Sequence, residues 1–238
     1  MRFGKEEKPF IKFVCTVPGF EQIEEIQPKP AKKFLPDWWR DMPLKVEEGY
    51  TAKVCPSMGD YFSSGYVLPM WIDSQLKHFK DSDLVDFSKT GELPNWSAHS
   101  NLQLLDYTDA SFLNQKTEYV FKANSPWKII TPPGYSVLQL PMFYEFSKEF
   151  TALPGIVDTD TYHELNVQIL SHVENLFIKR GTPLSVYIPF KRTKYSLNVS
   201  AQTKEEEERF KILKYDIMSK FEGSGWYRSM QRKRDNRN

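Results

Sequence analysis

Residues 126–146 read PWKIITPPGYSVLQLPMFYEF, residues 155–170 read GIVDTDTYHELNVQIL, and residues 175–190 read NLFIKRGTPLSVYIPF. Each run is apolar and rich in β-branched and aromatic side chains, and each is interrupted by Pro and Gly or by an acidic turn. Such side chains suit a pleated, half-buried surface, while Pro and Gly mark tight corners. The stretch predicts a compact core of closely cornered strands.

Working outward, FIKFVCTV at 10–17 alternates as a first strand, closed by Pro18 and Gly19. Pro28 and Pro30 predict an extended linker over 27–31. Leu35, Trp38, Trp39 and Met42 fall at offsets of three and four, so they share one side of a short helix that Pro43 ends. Residues 51–71, TAKVCPSMGDYFSSGYVLPMW, read as strand, Gly/Ser turn, strand. The polar segment DSDLVDFSKTGELPNW at 81–96 reads as an exposed excursion or hairpin, and short strands are expected at 102–105 and 118–122. After residue 200 the character changes. Thr203 and Glu206 form a capping box, Glu205 to Glu208 suit the positive end of a helix dipole, and Phe210, Leu213, Ile217 and Phe221 follow at helical spacing. This predicts a helix over 203–221, stopped by Gly223.

The expected architecture is α+β and mainly β. A distorted antiparallel barrel, jelly-roll or β-clip-like core fills 45–200. An N-terminal arm with a short helix precedes it over 1–44. A C-terminal helix and basic tail follow over 201–238, packed on the core or extending from it.

The totals narrow the function classes. The chain has 238 residues, a formal net charge of +1, 40% hydrophobic and 26% charged residues, so it is globular, and no whole-molecule positive field draws it to nucleic acid. Cys15 and Cys55 make neither a disulfide framework nor a zinc spacing, so free thiols in a reducing cytoplasm are expected. The N-terminal residues have no apolar core of a secretory signal, and no run approaches the roughly 20 apolar residues of a membrane span, so no membrane partner is expected.

Chemistry has few anchors. Asp158 and Asp160 stand two residues apart at a strand junction, where they could hold a divalent cation or activate a water, or simply complete a polar turn. Tyr162 and His163 beside them complete the candidate catalytic set. The histidines, His78, His99, His163 and His172, form no metal-ligand pattern, and no nucleophile elbow or phosphate-cradling Gly loop is present, so no metal or cofactor is expected. Arg228, Arg232, Lys233 and Arg234 follow Trp226 and Tyr227 in a tail that could bind nucleic acid or a partner protein. Trp38 and Trp39 are a second candidate partner surface.

Two resemblances add to this. CPSMGDYFSSGYVLPMW, NSPWKIITPPGYSVLQLP and GIVDTDTYHELN, in that spacing, resemble an uncharacterised protein family of T4-like phages of marine cyanobacteria and, more faintly, a bacterial domain of unknown function; the match spans residues 8–228. It implies a phage setting: the cytoplasm of the infected host, or the virion. Separately, ITPPGYSVLQLP, GIVDTDTYHELNVQIL and FIKRGTPLSVYIP resemble, in order and spacing, three consecutive strands of the trimeric dUTPase and dCTP deaminase superfamily. That resemblance places Asp158 on the family's water-activating aspartate. The sequence departs from the pattern in several places. Thr161 replaces the sugar-stacking tyrosine and His163 a glycine. Thr182, Pro183 and Val186 replace the polar members of the third strand. Residues 138–153 hold no Arg-Ser-Gly-Leu phosphate loop, and no Gly-rich arm closes the C-terminus. These departures argue against dUTP hydrolysis while leaving the scaffold.

The leading expectation is therefore a non-enzymatic binding or assembly protein of a tailed phage, motivated by missing catalytic motifs, abundant aromatics and the basic tail, and acting through a protein partner or self-association. The alternative is a nucleotide-binding protein or nucleotide hydrolase on a dUTPase-like β scaffold, using Mg²⁺ in that case alone. A third reading is nucleic-acid binding through the tail.

Overall fold

The computed structural model describes residues 10–78, 85–86, 96–100, 119–143 and 149–220. The chain divides into two compact units, Met1–Pro36 with Phe62–Arg192 and Asp37–Tyr61 with Thr193–Asn238. In chain order the elements begin with β1 (Lys12–Cys15), β2 (Lys29–Pro30), α1 (Asp37–Asp41), β3 (Lys45–Val46), β4 (Gly49–Tyr50), α2 (Pro56–Ser63), β5 (Tyr66–Pro69), β6 (Ser74–His78), β7 (Val85–Asp86) and β8 (Trp96–Ser100). They continue with β9 (Tyr119–Ile130), β10 (Tyr135–Pro141), β11 (Phe150–Ala152), β12 (Gly155–Val157), β13 (Glu164–Ser171), β14 (Asn175–Ile178), β15 (Pro183–Lys191) and α3 (Lys204–Lys220).

The first unit is an antiparallel β structure, as the sequence predicts. One sheet runs β1-β9-β13-β11, with β8 also paired to β9; a second runs β12-β10-β15-β5-β2; a third runs β14-β6-β7. Alternation explains how they bury their faces. Leu165, Val167 and Ile169 of β13, and Phe121, Ala123, Trp127 and Ile129 of β9, point into one hydrophobic cluster. Val137, Leu184, Tyr187 and Leu68 reach the same cluster from the second sheet, and Leu76, Leu176 and Ile178 from the third. Pro126 lies inside the long strand β9, where a ladder donor is lost. Its carbonyl accepts the Thr16 N–H at 2.8 Å, so its donorless edge faces the residue just past the end of β1, while on the other side the β9–β13 register slips between the pairs Lys128–Glu164 and Asn124–Asn166.

The corners follow turn chemistry. In TPPGY, Tyr135 N–H donates to the Pro132 carbonyl at 3.1 Å and Gly134 has φ +81°. Pro at the second position and Gly with positive φ at the third specify a type II turn. Gly65, with φ +76°, is required for a different reason: a Cβ there would stand 2.2 Å from the Tyr187 carbonyl oxygen.

Residues 51–71 depart from the expected strand, turn, strand. Only YVLP forms a strand, β5; Pro56–Ser63 is the helix α2, which buries Phe62. Pro56 occupies its first turn, where the missing N–H costs nothing, and Gly59 N–H reaches the Cys55 carbonyl at 3.2 Å. Short apolar runs do not distinguish strand from helix, and Pro56 is the local signal that marks a helix start here. Of the segment 81–96 only residues 85, 86 and 96 are described: β7 pairs with β6, which precedes the segment, and Trp96 is buried and donates its indole N–H to Ser74 Oγ at 3.1 Å. The strand expected at 102–105 lies outside the described residues.

In the second unit, α1 carries Trp38 and Trp39 edge to face, ring centroids 5.9 Å apart. Lys53 Nζ stands 5.4 Å from the Trp39 ring and donates to the Trp39 and Arg40 carbonyls. The capping box is formed as expected: Glu206 N–H donates to Thr203 Oγ1 at 3.2 Å, and Thr203 N–H to Glu206 Oε2 at 2.9 Å. These bonds hold the Glu206 carboxyl below its ordinary pKa.

Candidate functional site

The acidic turn lies between β12 and β13 and meets two other chain corners, the Pro-Pro-Gly turn before β10 and the end of β15. Three antiparallel registers bring them together: β12 on β10, β10 on β15, and β13 on β9. Tyr135 pairs with Lys191, so Arg192 emerges beside Gly134 and donates its backbone N–H to the Gly134 carbonyl at 2.8 Å.

Arg192 then organises the carboxylates. Its guanidinium grips Asp160 with both terminal nitrogens, Nη1 to Oδ1 at 2.9 Å and Nη2 to Oδ2. Gly134 N–H donates to Asp160 Oδ2 at 2.8 Å. The Asp160 side chain is only 7% exposed. The Arg192 hydrogen bonds, helped by the Gly134 amide, hold its carboxyl below the usual carboxylate pKa, and Asp160 in turn raises that of Arg192. A planar fork on a carboxylate is the strongest form of such a pair.

Asp158 is bound differently. Its Oδ1 accepts the Ser136 hydroxyl at 2.6 Å and lies 3.1 Å from Arg192 Nη1, which also donates to Ser136 Oγ at 2.9 Å. The Asp158 side chain is 58% exposed, and among the described residues only Oδ1 is engaged. One carboxylate oxygen therefore remains open on a rigid corner. Below it, Thr159 is fully buried and its hydroxyl meets that of Thr131 at 2.7 Å. Thr161 and Tyr162 both donate their amides to the Asp158 carbonyl, at 3.0 and 2.8 Å, which closes the turn and leaves the Tyr162 ring exposed.

His163 is turned inward. Its Nδ1–H faces the Thr159 carbonyl at 2.9 Å and the Ile129 carbonyl at 3.1 Å, so it fastens the turn to β9. The structure thus brings Asp158, Asp160, Tyr162 and His163 together but divides them: Asp158 and Tyr162 face outward, while Asp160 and His163 hold the turn. Arg192 and Ser136, absent from the sequence reading, complete the cluster. Ser136 lies 22 residues from Asp158 and Arg192 lies 32 from Asp160, and no local motif marks either.

Trp38 is exposed and Trp39 buried. Trp226, Tyr227, Arg228, Arg232, Lys233 and Arg234 lie outside the described residues. His172 Nε2 meets Thr151 Oγ1 at 2.8 Å, and its partial burial lowers its pKa. Among the described residues no group of three or more His, Cys, Asp and Glu could hold a metal ion, and no helix is long and apolar enough to cross a membrane. With Asp160 fully occupied by Arg192 and Gly134, the acidic turn does not fit a protein-held divalent cation.

No protein-family model and no curated protein matches the sequence. The chain is similar to several solved structures. One is a mutant dUTPase of Staphylococcus bacteriophage 80alpha with dUpNHpp, at 8% identity and a TM-score of 0.38, covering 82% of this chain and 99% of that one. Another is a mutant dUTPase from phage phi11 of S. aureus, described for its coordination of a structural Mg(II) ion, at 9% identity, TM-score 0.38, and 82% and 99% coverage. A further phi11 dUTPase stands at 10% identity, TM-score 0.38, and 82% and 98% coverage.

The expectation of a non-enzymatic phage assembly protein is corrected: the solved structures named above are phage dUTPases. Most of the tryptophans counted towards a partner surface lie in the interior. Trp39, Trp71, Trp96 and Trp127 are buried, which leaves Trp38 as the exposed tryptophan among the described residues.

Proposed function

We propose that the chain is a nucleotide-binding protein built on a dUTPase-like β scaffold, with its ligand seated on the Asp158–Tyr162 corner. The observation that carries the reading is the open oxygen of Asp158. A half-exposed carboxylate is held rigid by Ser136 and Arg192 and keeps one acceptor free, beside the exposed ring of Tyr162. A preorganised acceptor loses little freedom when a ligand hydroxyl or amino group donates to it. An exposed aromatic ring offers a face for a base or sugar. The motif order of residues 131–190 supports a pyrimidine nucleotide, and a phage gene product acting in the host cytoplasm is the setting in which we place it. Hydrolysis would require Asp158 to take a proton from a water at the same oxygen. Mg²⁺ would enter with the nucleotide phosphates rather than on a protein cage.

The test is a thermal-shift panel of dUTP, dCTP, dUMP and dCMP, with and without Mg²⁺. A ligand present at a hundred times its Kd stabilises by about 2.7 kcal/mol, which in a chain of this size raises Tm by roughly 5–11 °C. Asp158→Asn should abolish the shift without changing the melting temperature of the free protein by more than about 2 °C, because an amide oxygen can still accept the Ser136 hydroxyl and the ion pair lost with Arg192 is half-exposed. A flat panel refutes the reading, and so does a shift that Asp158→Asn and Tyr162→Ala both retain. Phosphate release from any shifting nucleotide then separates binding from hydrolysis.

A further inference from the structure

In the second sheet β15 has β10, with the acidic corner, on one side and β5 followed by β2 on the other. On that other side lies a groove of about 610 Å³. Ile11, Pro30, Tyr66 and Pro189 give it apolar sides, and Lys32 and Ser63 stand exposed along it. All of these residues belong to the first unit. A space of this volume, apolar with a few polar groups, has the dimensions of a small-molecule site.

Register and residue type hold the groove open. Pro30 is paired with Tyr66, and Tyr66 with Tyr187, in one continuous sheet. The Tyr66 ring is fixed by Phe13, edge to face with centroids 5.5 Å apart. Pro30 and Pro189 have no free side-chain rotamers with which to swing in and fill the space. Ala31 is fully buried and donates its N–H to the Gly65 carbonyl at 3.0 Å, which anchors the backbone just before Lys32. Two polar tips are meanwhile unspent. Among the described residues Lys32 makes no ion pair or hydrogen bond, although Lys29, three residues earlier, pairs with Glu24 at 3.0 Å. The Tyr66 hydroxyl likewise has no hydrogen-bond partner among them. An ammonium can only donate, a phenol can donate too, and no acidic residue lines the groove. The charge that complements it is therefore negative.

We infer that this groove is a binding site for a small organic anion, a flat apolar ring system carrying one negative charge. Its body lies against Ile11, Tyr66 and Pro189, and Lys32 and the Tyr66 hydroxyl meet its charge. The tyrosine favours a flat body because ring–ring contacts add to simple burial. The prefixed walls lose little freedom when the ligand enters. An organic cation would meet Lys32 as a like charge and is disfavoured. The site shares no residue with the Asp158 corner, so the inference stands whether or not that corner binds a nucleotide.

The probe is anilinonaphthalene sulfonate, and its neutral counterpart is phenylnaphthylamine, the same ring system without the sulfonate. Both are titrated by fluorescence into the full chain at low ionic strength, with circular dichroism and melting curves showing that each variant is folded. The wild type should take up the sulfonate saturably, one molecule per chain. Lys32→Ala and Tyr66→Phe keep the shape of the groove. Lys32→Ala should weaken the sulfonate by roughly tenfold, the worth of a charge-assisted hydrogen bond, and Tyr66→Phe by about threefold. Neither should change the affinity of the neutral probe. Ser63→Trp fills the groove from an exposed position and should abolish binding of both. The absence of a saturable site overturns the inference, and is the result expected if another protein surface already closes the groove. So does a sulfonate affinity that Lys32→Ala leaves unchanged, or that Lys32→Ala lowers equally for the neutral probe. Binding that survives Ser63→Trp, or that is lost in Asp158→Asn, places the probe elsewhere and overturns it as well.

Discussion

Tyr187 is the point at which the two strands flanking the candidate site are fastened to the chain that follows them. Its hydroxyl donates to Gln139 Oε1 at 2.9 Å, and Gln139 Nε2 donates to the Leu153 carbonyl at 3.0 Å. Tyr187 is fully buried and Gln139 nearly so. The relay runs from β15 through β10 to the segment that leads into β12 and the acidic turn. Tyr187→Phe removes one oxygen and leaves the ring in place, so little packing is lost. What remains is a buried amide oxygen without a donor. Such an orphan costs about 1–3 kcal/mol. With about 2–4 °C in Tm per kcal/mol for a chain of this size, the variant should melt roughly 2–12 °C lower. Urea unfolding should show the same loss at an unchanged m-value. A cycle with Gln139→Ala should return a coupling of about 0.5 kcal/mol or more. The linkage to pH provides an independent check. Burial pushes the Tyr187 phenol well above its ordinary value of 10.0. The native state thus holds a proton that the unfolded state releases above that value, and stability falls as pH rises past about 10. Tyr187→Phe should lose less stability between pH 9 and pH 11 than the wild type does. A variant melting within about 1 °C of wild type, with the same alkaline profile, would refute the argument.

Three further outcomes follow from the same geometry. Gly65→Ala and Gly134→Ala both force a side chain into positive φ, but only the first drives a Cβ against backbone, at 2.2 Å from the Tyr187 oxygen. Gly134→Ala should cost about 1–2 kcal/mol, and Gly65→Ala more than that, measured by denaturant unfolding; equal costs would contradict the close approach. Asp160→Asn should flatten the acid limb of the stability profile: the depressed Asp160 pKa gives stability that is present above its ordinary value of 3.8 and lost as pH falls below it, so only the wild type should show this loss in melts between pH 5 and pH 2. Thr203→Ala removes the hydroxyl that accepts Glu206 N–H, and should reduce helicity at 222 nm with a cost of about 1 kcal/mol to α3; unchanged helicity would mean that the cap contributes nothing.

Features encoded within a few residues were legible. The three apolar runs with their Pro-Gly and acidic corners became the paired strands of the first unit. Thr203 and Glu206 capped α3 as their spacing dictates. Pro56 shows the limit of such reading, because a four-residue apolar run and a short helix look alike until the Pro is taken as a helix start. The candidate site was half legible. Asp158, Asp160, Tyr162 and His163 were identified from local composition, but their separate tasks were not. Nothing within ten residues of Asp160 indicates that it is consumed by a guanidinium while Asp158 keeps an oxygen free.

The sequence alone fixed the class of fold, its corners and the capped helix, because turn and cap preferences are set by sterics and hydrogen bonds between near neighbours. Tertiary structure alone decided that Arg192 and Ser136 join the acidic turn and that four tryptophans are core rather than surface. Those outcomes depend on strand register between segments tens of residues apart, and register is a property of the assembled sheets that no local pattern specifies.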